Sequence, residues 1–182
     1  GTDLVPALAL GTEAPERDVM KRPPRKREER LLTAGLFARA YGFLGIIEAI
    51  ACMASYFYAY VRAGWSLGMP LAASGITYLR ARTMCLASII TSQVGNGFAC
   101  RTTRESIISK GFFTNKFYLW GIVTELVLIN IFIYVPFFQR IFGHASLDLK
   151  DWLFLFIWPP IVLFADEARK FVVRKFLNKK KT

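Results

Sequence analysis

Long stretches of this chain carry almost no charge, and that restricts it to a fold whose solvent is lipid. Between Arg39 and Arg62 the sole ionisable side chain besides Tyr and Cys is Glu48, and Glu125 holds the same position between Lys116 and Arg140. Thr83 to Cys100 has no formal charge and meets the lower limit of about 17 residues for a membrane helix. The run from Trp152 to Ala165 is shorter, so a crossing there places Asp166, Glu167, Arg169 and Lys170 at the headgroups, where long cationic side chains snorkel. With 54% hydrophobic residues in a chain of 182, a soluble domain of ordinary composition is excluded. The expected fold is all-α: a polytopic membrane helical bundle made of the end of one broken helix plus four transmembrane helices in two hairpins.

Lys and Arg fall in clusters that alternate with the spans. Lys21 to Arg30, Arg101 to Lys116 and Arg169 to Lys181 are rich in them, whereas Arg62, Arg80, Arg82, Arg140 and Lys150 belong to the other side. The positive-inside rule makes the three rich clusters, and with them the C-terminus, cytoplasmic. The net charge of +11 flanks apolar spans instead of covering one soluble face, which points to anionic lipid and away from nucleic acid. Cys52, Cys85 and Cys100 are odd in number, lie within spans and lack Cys-x-x-Cys spacing, so packing is expected and not a disulfide framework or a zinc site. No secretory signal peptide is apparent.

Two stripes of small residues suggest where helices meet. Ala38, Gly42, Gly45 and Ala49 share one face of the first span, and Ala87, Thr91, Gly95 and Ala99 share one face of the next, so the two helices are expected to pack through these stripes. Trp65, Trp120 and Trp152 read as interfacial anchors. Trp158-Pro159-Pro160 predicts a kink inside the last span. His144 is expected to be exposed to solvent.

Ionisable groups inside a membrane are expensive, which singles out Asp3, Glu48 and Glu125. Asp3 sits beside Thr2 and three residues before Pro6, a proline that breaks a helix and frees carbonyl oxygens to face a cation. Thr2 is placed to orient the Asp3 carboxylate. Gln93 and Asn96, three apart, offer amide oxygens from one helix face; coordinating a hard cation and bonding helix to helix both stay open. Glu48 reads as structural, paired with a basic residue or lining a polar crevice. Glu125 reads as a ligand or as a protonated group satisfied by a neighbouring helix. Asp166 has Arg169 and Lys170 at helical spacing and reads as part of a solvated face.

The run Gly1-Thr2-Asp3-Leu4-Val5-Pro6, continuing through Asp18-Val19-Met20 to Arg22-Pro23-Pro24-Arg25, resembles the sixth membrane helix of the P-type cation pumps and its exit loop. Gln93-x-x-Asn96 matches half of the calcium-pump pattern Glu-x-x-Asn and half of the sodium/potassium and proton/potassium pattern Gln-x-x-Asp, and the pair lacks a carboxylate. Asn115-Lys116 through Gly121 to Glu125 looks like the ninth helix of the sodium/potassium branch, whose matching Glu serves an additional sodium site. Cys100-Arg101-Thr102-Thr103-Arg104 and Asp166-Glu167-Ala168-Arg169-Lys170 look like the cytoplasmic ends of the eighth and tenth helices.

This resemblance implies that residues 1–12 are the C-terminal part of the ion-binding sixth helix, 13–33 a cytoplasmic basic connector, and 34–182 a four-helix support domain with a basic tail. Cation-binding residues are then Asp3, Gln93, Asn96 and Glu125, with Thr2 and Pro6 in support and Asp3 the residue expected to hold the metal ion. A further ligand position is expected upstream of Gly1, so the chain looks truncated. No Asp-Lys-Thr-Gly phosphorylation motif, Thr-Gly-Glu loop or nucleotide-binding domain is present, so no ATPase activity is expected of this chain unaided and no cofactor bound by it; the full pump would need ATP and Mg2+. Expected partners are the bilayer, the N-terminal remainder of the pump and an accessory membrane subunit, in the plasma membrane. The competing readings are a truncated four-helix structural or subunit-interaction module and an independent channel or transporter.

Overall fold

The computed structural model describes residues 4–16, 19–21 and 32–179, and these are helices joined by short loops. Helix α1 spans Leu4–Leu10 and is closed at its end by the Thr12 hydroxyl, which donates to the Ala9 carbonyl at 2.8 Å. Helix α2, Ala34–Arg62, starts at Thr33, whose side chain accepts the Leu36 N–H at 3.2 Å. Its segment Ala38–Leu44 is π-helical. Helix α3 spans Gly75–Cys100, and α4 spans Lys116–Tyr134 behind the N-cap Asn115. Pro136 opens the short helix α5, Pro136–Phe142, and Gly143 ends it at φ 64°, the left-handed conformation that glycine adopts without strain. Helix α6, Leu149–Leu155, starts on a reciprocal Asp148–Asp151 capping box, and α7 spans Trp158–Lys179.

Among the described residues two helices are long and apolar enough to cross a membrane, Ala34–Arg62 and Lys116–Tyr134. Both turn large apolar side chains outward, including Ile46, Ile50 and Met53 on α2 and Val123 and Val127 on α4. Such surface is stable against acyl chains and not against water.

Helix α3 is the hub. It packs on α2 along one side and on α7 along another, while α1 lies against α4. The main core gathers Ala59, Tyr60, Ala81, Met84, Ala87, Ile129, Ile133 and Leu155. Helices α2 and α3 lie side by side, and α7 joins the bundle through α3 more than through α4.

Several expectations are corrected. The α3 stripe is buried as expected, but its mate is α7: a Cβ on Gly95 would lie 2.3 Å from the Pro159 carbonyl oxygen. The α2 stripe is not at that interface. Ala38, Gly42 and Ala49 are exposed, and α2 buries Leu44, Ala51, Ser55 and Ala59. Pro159 and Pro160 do not kink a continuous helix; they occupy the first turn of α7, where a missing N–H breaks no ladder bond. The Leu155 carbonyl just before that break accepts the Thr91 hydroxyl of α3 at 3.4 Å. Cys52 and Cys85 form a disulfide between α2 and α3, Cα atoms 4.4 Å apart, against the expectation of simple packing. The small neighbours Ala51 and Ala81, both fully buried, let the two backbones come that close. His144 is half-buried, stacked on Phe142 at 6.0 Å between ring centroids, and burial beside Arg82 lowers its pKa.

Candidate polar and ion-facing sites

The segment with the strongest sequence signal is only partly visible. Thr2 and Asp3 lie outside the described residues, as do Asp18 and Arg22 to Arg30. Pro6 is buried in the first turn of α1 and rests on α4, where a Cβ on Gly121 would lie 3.0 Å from the Pro6 Cα. Glu125 follows Gly121 by one turn on the same helix face and is 1% exposed. The structure thus brings the α1 segment and the Glu125 helix together through a glycine contact.

Gln93 and Asn96 meet a different carboxylate. The Gln93 side-chain amide donates to Glu48 Oε2 at 3.1 Å, and Asn96 Nδ2 donates to Glu48 Oε1 at 3.1 Å and to Gln93 Oε1 at 3.3 Å. The pair therefore does have a carboxylate beside it, supplied by α2. The sequence held the signal, since Glu48 is the lone acid of its span, but not the register. Arg39 and Glu48 are nine apart, two and a half turns of an ideal α-helix, so they belong on opposite sides. The π-helical stretch between them, with more residues per turn, brings the two toward a common side. As a result both face α3: Arg39 reaches the Ala99 carbonyl at 3.4 Å and Glu48 reaches Gln93 and Asn96.

Below this cluster, α2, α3 and α7 are locked together by charge. Lys170 is fully buried and its ammonium donates to the Ala99 carbonyl at 2.9 Å, to the Thr102 hydroxyl at 2.8 Å and to Glu167 at 3.1 Å, with Asp166 also at 3.1 Å. Arg39 pairs with Asp166 at 3.0 Å. Glu167 in turn accepts the Ser106 hydroxyl and the Ile107 N–H, fixing the α3–α4 loop. The expected solvated face is in fact an interior junction.

The connector after α1 is tied to the same end of the bundle. Arg101, with a side chain 0% exposed, binds Glu13 at 2.7 and 3.1 Å and donates to the Phe112 carbonyl at 2.7 Å. Lys110 and Asn115 also reach Glu13, at 3.1 and 2.9 Å. Burial pushes the Glu13 carboxyl upward, but the hydrogen bonds from Arg101, Asn115 and Lys110 outweigh it and hold its pKa down to about 2, against an ordinary 4.5. The folded protein takes up this proton less readily than the unfolded chain does. The stabilisation is therefore complete above about pH 4.5 and is lost as pH falls toward 2. Glu13→Gln should flatten that part of the stability–pH curve, measured by thermal unfolding in detergent; a curve unchanged in shape would remove Glu13 from the acid response. A cleft of about 500 Å³ lies alongside, lined by Glu13, Pro15, Glu105, Lys110 and Lys116 among others.

At the opposite end Arg62 and Arg80 both bridge Asp148 and Asp151, joining α2, α3 and the start of α6. The hydrogen bond from Arg62, opposed by burial and reinforced by Arg80, holds the Asp148 carboxyl well below the usual carboxylate range. Among the described residues no group of three His, Cys, Asp or Glu side chains is placed to hold a metal ion.

Apolar helices with outward lipid-facing surface, charge locks at both ends and polar side chains between helices define a helical membrane domain. The particular kind follows from comparison with known proteins. Residues 1–172 match the family described as "Cation transporting ATPase, C-terminus", and the chain belongs to that family. It is similar to Calcium-transporting ATPase 1 of Saccharomyces cerevisiae, 33% identical over 93% of this chain and 17% of that protein. It is also similar to the Sodium/potassium-transporting ATPase subunit alpha-1 of Anguilla anguilla, 30% identical over 96% of this chain and 20% of that protein. Calcium-transporting ATPase 1 of Yarrowia lipolytica is 29% identical over 93% of this chain and 17% of its own length. The chain therefore spans a fifth or less of these relatives, corresponds to the C-terminal membrane portion of a cation pump, and is a membrane protein.

Proposed function

We propose that this chain works within an ATP-driven cation pump, where it supports the ion-binding helices and contributes side chains to the cation path. The family match across residues 1–172 carries this reading. In it, α2, α3, α4 and the α6–α7 pair cross the bilayer four times, the basic C-terminus lies in the cytoplasm, and the membrane is the plasma membrane. The energy comes from ATP and Mg2+ bound by the remainder of the pump, and an accessory membrane subunit is a further partner. Asp3, oriented by Thr2 and set off by Pro6, is the cation ligand; Gln93, Asn96 and Glu125 line a secondary polar region. The packing of α1 on the Gly121–Glu125 face of α4 supports this, because it fixes the ligand-bearing segment against a helix with a buried acid.

Asp3→Asn, introduced into a complete pump polypeptide carrying this segment, should weaken the apparent affinity for the transported cation about tenfold or more, since it removes a full charge at contact distance. Cation-dependent phosphorylation from ATP reads this directly. Unchanged dependence would remove Asp3 from the cation site.

A further inference from the structure

The loop joining α2 to α3 carries no charge and turns large apolar side chains outward. No Asp, Glu, Lys, Arg or His lies between Arg62 and Arg80, and within that stretch Leu67 is 94% exposed, Ile76 71%, Met69 53% and Leu71 41%. Apolar surface gathered in this way marks contact with lipid or with another protein. The loop is also braced to hold these side chains out. Gly64, at φ 92°, reverses the chain at the end of α2. Trp65 Nε1 then donates to the Met69 carbonyl at 2.9 Å, the Met69 N–H donates to the Ser66 carbonyl at 3.1 Å, and the Tyr60 hydroxyl donates to the Ala72 carbonyl.

Where the loop lands decides between lipid and protein. Trp65 folds back along α2, its ring 5.8 Å from that of Phe57 and 6.5 Å from that of Tyr60 between centroids. Phe57 precedes Arg62 by about 7 Å of helix, and helical side chains lean toward the N-terminus, so the Trp65 ring stands beside the last turns of α2 and not beyond its end. Phe57 also shares a helix face with Ile46, Ile50, Met53 and Val61, the outward apolar face of α2. The loop therefore drapes over the lipid-facing side of the helix, and its exposed apolar side chains continue that surface. We propose that the α2–α3 loop is inserted into the lipid leaflet at the Arg62 end of α2, with Leu67, Met69 and Leu71 among the acyl chains, and that it fixes the depth of the α2–α3 pair. Zwitterionic lipid suffices for this, because the segment has no charge with which to attract an anionic headgroup.

The inference rests on the reading above that α2 and α3 cross the bilayer, but not on any cation ligand and not on transport. Its test places a nitroxide spin label at Leu67→Cys in the full chain, in a Cys100→Ser background that leaves Cys52 and Cys85 joined, reconstituted in phosphatidylcholine nanodiscs. Leu67 is almost wholly exposed, so the label disturbs no packing. Power saturation compares collisions with oxygen, which concentrates among acyl chains, and with a polar nickel chelate, which is excluded from them. The oxygen-to-nickel ratio at Leu67 should exceed that at Lys150→Cys, an exposed charged position at the same end of the bundle, by at least about threefold, because polar solutes partition poorly into hydrocarbon. Met53→Cys, midway along the outward face of α2, reports on the crossing itself. A high ratio at Met53 with a Leu67 ratio equal to that of Lys150 overturns the insertion alone and assigns the loop to a protein partner; low ratios at both Met53 and Leu67 overturn the crossing of α2 and the insertion with it. Replacing a third of the lipid with phosphatidylserine should leave the Leu67 ratio unchanged, and a high ratio that appears only with the anionic lipid also overturns the proposal.

Discussion

Lys170→Met should destabilise the folded bundle by about 3 to 5 kcal/mol, the range for removing one member of a buried ion pair. The methionine fits the volume but donates nothing. Asp166 and Glu167 then lose their shared cation, and the Ala99 carbonyl and Thr102 hydroxyl lose a buried donor. Residual partners limit the damage: Arg39 and Arg169 still reach Asp166, and Ser106 and the Ile107 N–H still reach Glu167. The comparison variant is Arg169→Met. Arg169 also pairs with Asp166, but a quarter of its side chain is exposed, so its loss should have a much smaller effect, about 1 kcal/mol or less. Thermal or denaturant unfolding in one detergent decides the matter. Equal effects of the two substitutions would mean that the Lys170 junction is solvated after all.

The second large effect belongs to a glycine. Gly95→Ala places a Cβ 2.3 Å from the Pro159 carbonyl oxygen and 2.8 Å from its Cα, and neither atom can swing aside because both are backbone. α7 must shift away from α3, which also stretches the Thr91–Leu155 hydrogen bond. Overpacking of this kind typically costs about 1 to 3 kcal/mol. Gly42→Ala is the counterpart. Nothing lies within 4 Å of a Cβ at Gly42, so this chain should gain stability by about 0.5 to 1 kcal/mol from the lower helical cost of alanine. Melting temperatures that move in the same direction for both would show that Gly95 does not carry the α3–α7 contact.

That opposed pair shows what was legible. Both stripes read identically as small residues at helical spacing, because spacing reports which residues share a face. It does not report what the face meets. The α3 stripe found α7, and the α2 stripe stayed outside the bundle of described residues. Helix positions were readable from uncharged runs bounded by Arg and Lys, since in lipid every backbone polar group has to be bonded within the helix. The division of the last span into α6 and α7 was not, although its cause, Pro159-Pro160, stood in plain sight; whether a proline pair kinks a helix or begins one depends on where the ladder has already broken.

The candidate site divides along the same line. Gln93 and Asn96 were legible as a pair from their spacing, and Glu48 as an isolated acid. Their meeting was not, because the spacing of Gln93 and Asn96 along one helix does not say which side chain of the neighbouring helix lies opposite them. The acidic residues of the connector and of α7 looked like ordinary solvated charges, and only the side chains brought in from other helices, Arg101 and Arg39, show that Glu13 and Asp166 are held inside charge junctions.

The sequence by itself determined a lipid-facing, all-helical chain and its family, because hydropathy and local motifs are written along one dimension and each helix closes its own hydrogen bonds. Only the tertiary structure decided which faces meet, which carboxylate joins Gln93 and Asn96, and which charges are buried. Those outcomes depend on helix rotation and close approach: an extra residue in a turn re-aims the side chains beyond it, and a missing Cβ lets two backbones touch.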